Sequence, residues 1–218
     1  MNVYLMRMYA TPNVDDLSTI TRARYAHFSA VGTWWPIPAN VCAACNSHDQ
    51  RLVEPLLLQW EPSAHVIGDF SWDGPFGFLC VAQPHVVSFF RDEQFEFAAN
   101  TVEFVTPRRS PSRNTPIPYP YCGPKLSWIE STSFVHLDRL ASNVGVEMSC
   151  SMCGTVRYRF ATEGLVIRRG AWDGQRMFRI TSNGRSHATF VTDEGRCMIE
   201  GAGFSNVEFS FAGRIIDE

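Results

Sequence analysis

The chain has 218 residues, which suits one large domain or two small ones. With 45% hydrophobic, 13% aromatic and 19% charged residues it can bury a sizeable core, so intrinsic disorder is excluded as its main state. A formal net charge of -3 argues against a nucleic-acid binder with a basic surface over the whole domain.

In chain order, residues 1–16 lack a basic start followed by an apolar run, so no secretory signal is expected. The longest clean apolar run, near 76–82, is far short of the roughly 20 residues of a membrane span. The expectation is a cytoplasmic protein with reduced thiols and no membrane partner. Residues 3–9 read as a strand, and 15–30 are ambiguous, with a helix as one option. A further strand is expected at 56–60. Trp72-Asp73-Gly74 reads as a turn between strands, because Asp-Gly tolerates the positive φ that hairpins demand. Strand-like segments follow at 76–81 and 86–90. Asp92-Glu93 is then expected to open a helix near 91–99, where carboxylates complement the positive end of the backbone dipole. A half-buried strand closes this part with Val102-Glu103-Phe104. Residues 106–124 hold six of the thirteen prolines and read as an extended connector, with Arg108, Arg109 and Arg113 solvated.

The second part repeats the pattern. A strand at 156–160 precedes Trp172-Asp173-Gly174, and strands are expected at 177–181 and 188–191. Thr192 suits an N-cap and Gly203 a C′ residue, so a helix is predicted over 193–202 with Asp193 and Glu194 in its first turn. Asn206-Val207-Glu208-Phe209 closes it. The offsets between equivalents are 108 for the cysteine pairs, 100 for Trp-Asp-Gly, 101 for the acidic pairs and 105 for Val-Glu-Phe. Four features in one order argue for an internal duplication. The fold class is therefore α+β and strand-rich, with two pseudo-repeated halves at 1–105 and 125–218 joined by the connector 106–124.

Seven cysteines occupy positions 42, 45, 80, 122, 150, 153 and 197. Four form two C-x-x-C units, Cys42-Ala-Ala-Cys45 and Cys150-Ser-Met-Cys153. Two-residue spacing lets both thiolates of one turn face one cation, and two such turns complete the tetrahedral S4 shell that Zn2+ prefers. Gly154 after the second unit permits the positive φ of a tight knuckle, and Asn46 after the first is the next-best residue for it. A redox dithiol on a thioredoxin-like turn would explain one unit but not two. The expected metal ligands are thus Cys42, Cys45, Cys150 and Cys153, with a structural zinc stapling the halves. Cys122 is the one plausible substitute ligand. Cys80 and Cys197 read as buried small hydrophobes.

The run Ala23-Arg24-Tyr25-Ala26-His27-Phe28 through Trp34-Trp35-Pro36 and Cys42-x-x-Cys45 resembles the opening of the myxobacterial double-CxxCG motif paralogous family. Cys150-x-x-Cys153-Gly154, Phe190-Val191-Thr192-Asp193-Glu194 and Gly203-Phe204-Ser205-Asn206-Val207-Glu208-Phe209 resemble its later parts, so the likeness spans nearly the whole chain. The first motif departs from it by ending in Asn46. The resemblance implies an immunity protein of a polymorphic toxin system, and it places the metal role on the same four cysteines.

Three functional expectations follow. The leading one is a binding protein, not an enzyme, that neutralises a cognate bacterial toxin in a one-to-one complex, without nucleic acid or membrane. The alternative is a nucleic-acid-binding zinc ribbon, and a hydrolytic enzyme comes third. No catalytic or cofactor-binding residue is assigned, because H-E-x-x-H, G-x-S-x-G, Walker and Rossmann patterns are all missing. His136-Leu137-Asp138 is the best acid–base candidate among scattered histidines.

Overall fold

A computed structural model of the chain describes residues 1–7, 25–31, 34–36, 41–46, 50–52, 55–60, 66–73, 79–105, 117, 120–159, 161, 163–181 and 188–217. Sixteen strands and two α-helices are present among them, so the fold is strand-rich α+β. The first part carries β1 (Asn2–Arg7), β2 (His27–Ala30), β3 (Trp34–Pro36), β4 (Gln50–Leu52) and β5 (Leu56–Trp60). It continues with β6 (Phe70–Asp73), β7 (Cys80–Ala82), α1 (Pro84–Asp92) and β8 (Phe97–Phe104). The second part carries β9 (Ser127–Ser131), β10 (Phe134–His136), β11 (Val146–Ser149), β12 (Val156–Tyr158) and β13 (Leu165–Arg168). Then come β14 (Met177–Thr181), β15 (Thr189–Thr192), α2 (Asp193–Gly201) and β16 (Glu208–Ile216).

Six strands close a barrel, which reads around its circumference as β2-β6-β7-β9-β8-β5. A six-stranded sheet runs β10-β14-β15-β1-β16-β13. The two orders match strand for strand. In both, the first pair is parallel, the next three are antiparallel and the last is parallel. The barrel closes through antiparallel β2–β5 pairing, continued by Val31 N–H to Leu57 O at 2.8 Å. At the matching place in the sheet, Asp138 N–H donates to Val166 O at 2.9 Å and Val166 N–H to the Ser142 hydroxyl at 2.8 Å. Two short antiparallel hairpins, β3–β4 and β11–β12, stand outside both layers.

One strand in each set comes from the other half of the chain. β1 lies between β15 and β16, and β9 lies between β7 and β8. Alternating burial explains how they sit there, since side chains of a strand point to opposite faces. On β1, Val3 and Leu5 enter the core on one face of the sheet with Ile167, Phe178 and Phe190. Met6 enters the core shared with the barrel, among Phe70, Trp72, Phe90 and Met177. Inside the barrel, Phe28, Leu56, Leu58, Trp60 and Trp128 make a third cluster. Polar contacts stitch the seam between the two bodies: the Trp72 indole N–H donates to Asn206 O at 2.7 Å, and Ser131 Oγ to Met177 O at 3.0 Å.

Several expectations hold. Strands lie at the start of the chain, at 56–60 and at 177–181. Thr192 caps α2, accepting from Gly195 N–H at 3.3 Å, with Asp193 and Glu194 in the first turn and Gly203 at positive φ beyond the end.

Others are corrected. Residues 86–90 are helix, not strand, and Asp92-Glu93 ends α1 instead of opening a helix. Pro84 at the first helical position and the helical spacing of Val86, Val87 and Phe90 outweigh the strand preference of valine and phenylalanine. Residues 97–99 accordingly begin β8. Trp72 and Asp73 are strand residues of β6, whereas Trp172 and Asp173 precede β14, so the two tripeptides occupy different places. Gly74, residues 15–24 and most of 106–119 lie outside the described residues.

Gly213 of β16 pairs with Leu165 of β13 and leaves no room for a side chain. A Cβ there would sit 2.0 Å from the Leu165 carbonyl oxygen, so backbone would have to move. Gly213→Ala is expected to lower stability by at least the ~1–3 kcal/mol of an overpacked core, read as a lower urea midpoint. An unchanged midpoint would refute the tight β13–β16 pairing.

Asp193 pins β1 to α2. Its carboxylate accepts from Asn2 N–H at 2.8 Å, the Tyr4 hydroxyl at 3.0 Å and the Asn2 amide at 3.3 Å. Desolvation raises its pKa, but these hydrogen bonds outweigh it and hold the group below the usual carboxylate value. A depressed folded pKa means stability that is complete above the unfolded value of about 3.9 and is lost as pH falls through the folded one. Asp193→Asn should therefore flatten the loss of stability between about pH 5 and pH 3 in urea titrations. A variant with the same pH slope as the parent would show that this contact carries no linkage.

Candidate metal centre

Both C-x-x-C units sit on turns carried by the outlying hairpins. Cys42–Cys45 lies between β3 and β4, and Cys150–Cys153 between β11 and β12. Each turn is closed by the same hydrogen bond, Asn46 N–H to Cys42 O at 2.8 Å and Gly154 N–H to Cys150 O at 2.9 Å. Asn46 has φ 54° and Gly154 φ 72°, the left-handed conformation expected from the residue types. A residue without a Cβ, or with a short polar side chain, adopts it at least cost.

The turns bring the four sulfurs together. All four Sγ atoms lie within 4.8 Å of one another. Across the knuckles, Cys42 and Cys150 are 3.8 Å apart and Cys45 and Cys153 3.7 Å apart. A tetrahedron with metal–sulfur bonds of ~2.3 Å has edges of about 3.8 Å, so the donor set fits a single thiophilic ion. All four cysteines are free thiols in this structure. Among the described residues this is the one group of three or more metal-ligating side chains.

The environment is graded. Cys150 is 8% exposed, Cys42 and Cys45 are half-buried, and Cys153 is exposed. Thr155, which the sequence reading passed over, packs its hydroxyl 3.1 Å from Cys153 Sγ. Hydrogen bonds from the Thr155 side chain and backbone lower the Cys153 thiol to about 6, which favours the thiolate a metal requires. A hydroxyl two residues after a ligand is the signal that could have found it.

The remaining cysteines separate from the cluster. Cys122 is exposed and outside it. Cys80 is buried in β7, and burial pushes its thiol well up. Cys197 is on α2 as expected but is exposed, because the helix turns Gly195 and Ile199 inward instead.

In the acid–base candidate His136-Leu137-Asp138, the carboxylate is engaged by its neighbours. Asp138 accepts from Ala141 N–H at 3.0 Å and from Arg168 Nε at 2.7 Å, and both hold its carboxyl below the usual range. Asp69, Ser205 and His85 have the residue types of a hydrolase triad but not its order. Ser205 Oγ donates to Asp69 Oδ2 at 2.8 Å, and His85 Nε2 lies 2.9 Å from Oδ1. The serine proton is committed to the carboxylate, not to an imidazole, so the arrangement latches β6 to the start of β16. No helix among the described residues is long and apolar enough to cross a membrane. No protein-family model matches the chain, and no curated protein matches it.

Proposed function

We propose that Cys42, Cys45, Cys150 and Cys153 hold a structural zinc ion, and that the chain is a cytoplasmic, non-catalytic protein of the immunity type that neutralises a cognate toxin by direct one-to-one binding. The observation that carries the first part is the gathering of the four sulfurs within 4.8 Å, with two cross-knuckle contacts of 3.8 and 3.7 Å close to the edge of a four-thiolate zinc shell. Such an ion supplies a cross-link and keeps no open position for water, so it builds a scaffold and not a hydrolytic centre.

The matched strand orders support reading the chain as two halves of one tandem unit, one knuckle from each. The starts of α1 and α2, at Pro84 and Asp193, are 109 residues apart, close to the 108 that separates Cys42 from Cys150. On this reading the ion ties the halves at their outlying hairpins.

Binding of a protein partner is supported by the family-like motifs and by the surface beside the knuckles. Val41 and Met152 stand 41% and 75% exposed on the two turns, and Val146 on β11 is 58% exposed. Exposed apolar side chains of this kind suit a protein interface better than a nucleic acid. Several arginines are also paired, Arg168 with Asp138, Arg176 with Glu194 and Arg169 with Asp217. These three pairs reduce the free basic surface that the zinc-ribbon alternative would use.

The test is metal analysis of the purified chain, followed by co-purification with the product of the neighbouring gene. About one zinc per chain and a stoichiometric complex are expected. Turnover by the metal-loaded chain, or nucleic-acid binding at low salt in place of the complex, would overturn the reading.

A further inference from the structure

We infer that Cys45 and Cys153 are the two thiols that a hydroperoxide joins, so that oxidation exchanges the link between the knuckles for a covalent one. The metal-release part of this inference rests on the zinc reading above, whereas the choice of partners rests on the sulfur positions alone.

Spacing in the sequence points elsewhere. A C-x-x-C spacing taken alone suggests a bridge within its own turn, as in a redox dithiol. The structure closes both turns with a left-handed residue and sets them face to face, so that each sulfur of one knuckle touches one of the other while all four lie within 4.8 Å. The cross-knuckle contacts are 3.7 and 3.8 Å. A movement of about 1.7 Å brings the outer pair to bonding distance.

Accessibility selects between the two cross-knuckle pairs. Cys150 is 8% exposed, which shields the inner pair Cys42–Cys150 from a solute. Cys153 is exposed, and the Thr155 hydroxyl at 3.1 Å holds its side chain in place. Attack therefore begins at Cys153. Its thiolate sulfur bonds to the terminal oxygen of the hydroperoxide, the O–O bond breaks, and the other oxygen leaves as water or alcohol after taking a proton. The Cys45 thiolate then attacks the sulfenic sulfur, forming S–S and breaking S–O, and the hydroxide leaves as water with a second proton. Two electrons pass from the two sulfurs to the peroxide. Two of four donors are consumed, which leaves Cys42 and Cys150 as a pair too few to retain zinc tightly.

The result covalently joins positions 108 residues apart in the chain. A bond within a knuckle would leave the hairpins free to separate, whereas this one keeps them together after the metal has gone.

The experiment treats the purified metal-loaded chain with hydrogen peroxide, blocks remaining thiols with iodoacetamide and digests without reductant. Fragmentation spectra then locate the bond, and a chromophoric chelator follows released zinc. The expected result is Cys45–Cys153 as the dominant bridge, alkylated Cys42 and Cys150, and release of about one zinc per chain. In Cys45→Ser, the sulfenic acid at Cys153 should persist and be trapped by dimedone. Dominant Cys42–Cys45 or Cys150–Cys153 bridges would overturn the inference, as would sulfinic or sulfonic acid at Cys153 without a bridge. A chain that carries no zinc before treatment would instead refute the zinc reading, and the mapped bridge would still decide this one.

Discussion

Replacing Cys42 or Cys150 by serine is expected to lower bound metal from about one per chain toward zero and to destabilise the whole chain, because metal binding energy is folding energy where the site is absent from the unfolded state. Structural zinc binds with ~10–16 kcal/mol in small peptides. This chain has three hydrophobic clusters of its own, so only part of that energy is at stake. A loss of even ~4 kcal/mol in a chain of this size lowers Tm by roughly 8–16 °C. Cys122→Ser is the matched control, since its thiol is exposed and outside the cluster, and it should leave metal content and Tm unchanged. Metal content by atomic emission and thermal unfolding of the same preparations check both halves of the expectation. Retained metal in Cys150→Ser would mean that the four sulfurs do not form one shell.

Deleting residues 1–7 should dissolve the distant sheet and spare the nearby barrel. β1 occupies the middle of the sheet, hydrogen-bonded to β15 on one side and β16 on the other. Val3, Leu5 and Met6 are 0%, 4% and 1% exposed, and burying three such side chains is worth about 5–9 kcal/mol. That is comparable to the entire stability of a typical domain. The barrel contains no β1 residue, because β9 fills the matching position. Hydrogen exchange is the direct measurement. Amides of β15 and β16 should lose protection while those of β6, β7 and β8 keep much of theirs. A synthetic peptide of residues 1–7 added in trans should restore part of the lost protection. Loss confined to the barrel strands would contradict the strand pairing.

How much of this was legible beforehand varies with the range of the interaction responsible. The left-handed residues Asn46 and Gly154, the Thr192 cap and the alternating strand at 56–60 depend on neighbours a few positions away. Local chemistry alone decides them. The α1 segment reads as strand from sequence because its valines and phenylalanines suit a strand equally well, and Pro84 is the local signal that favours a helix. The markers of duplication were real residues in misleading places: Trp72 is inside a strand, whereas Trp172 lies ahead of one.

Composition and spacing by themselves determined a large core, a strand-rich chain and two thiolate pairs capable of sharing one ion. Which sheet each strand joins was decided only in three dimensions. A strand reveals its own face pattern, but its neighbours are chosen by backbone hydrogen bonds that carry no residue code and by cores that form across the whole chain. β1 is therefore indistinguishable from a locally paired strand until the core around Met6 is assembled. The same holds for the sulfurs, whose pairing across knuckles follows from how the two hairpins meet and not from the two residues between each couple.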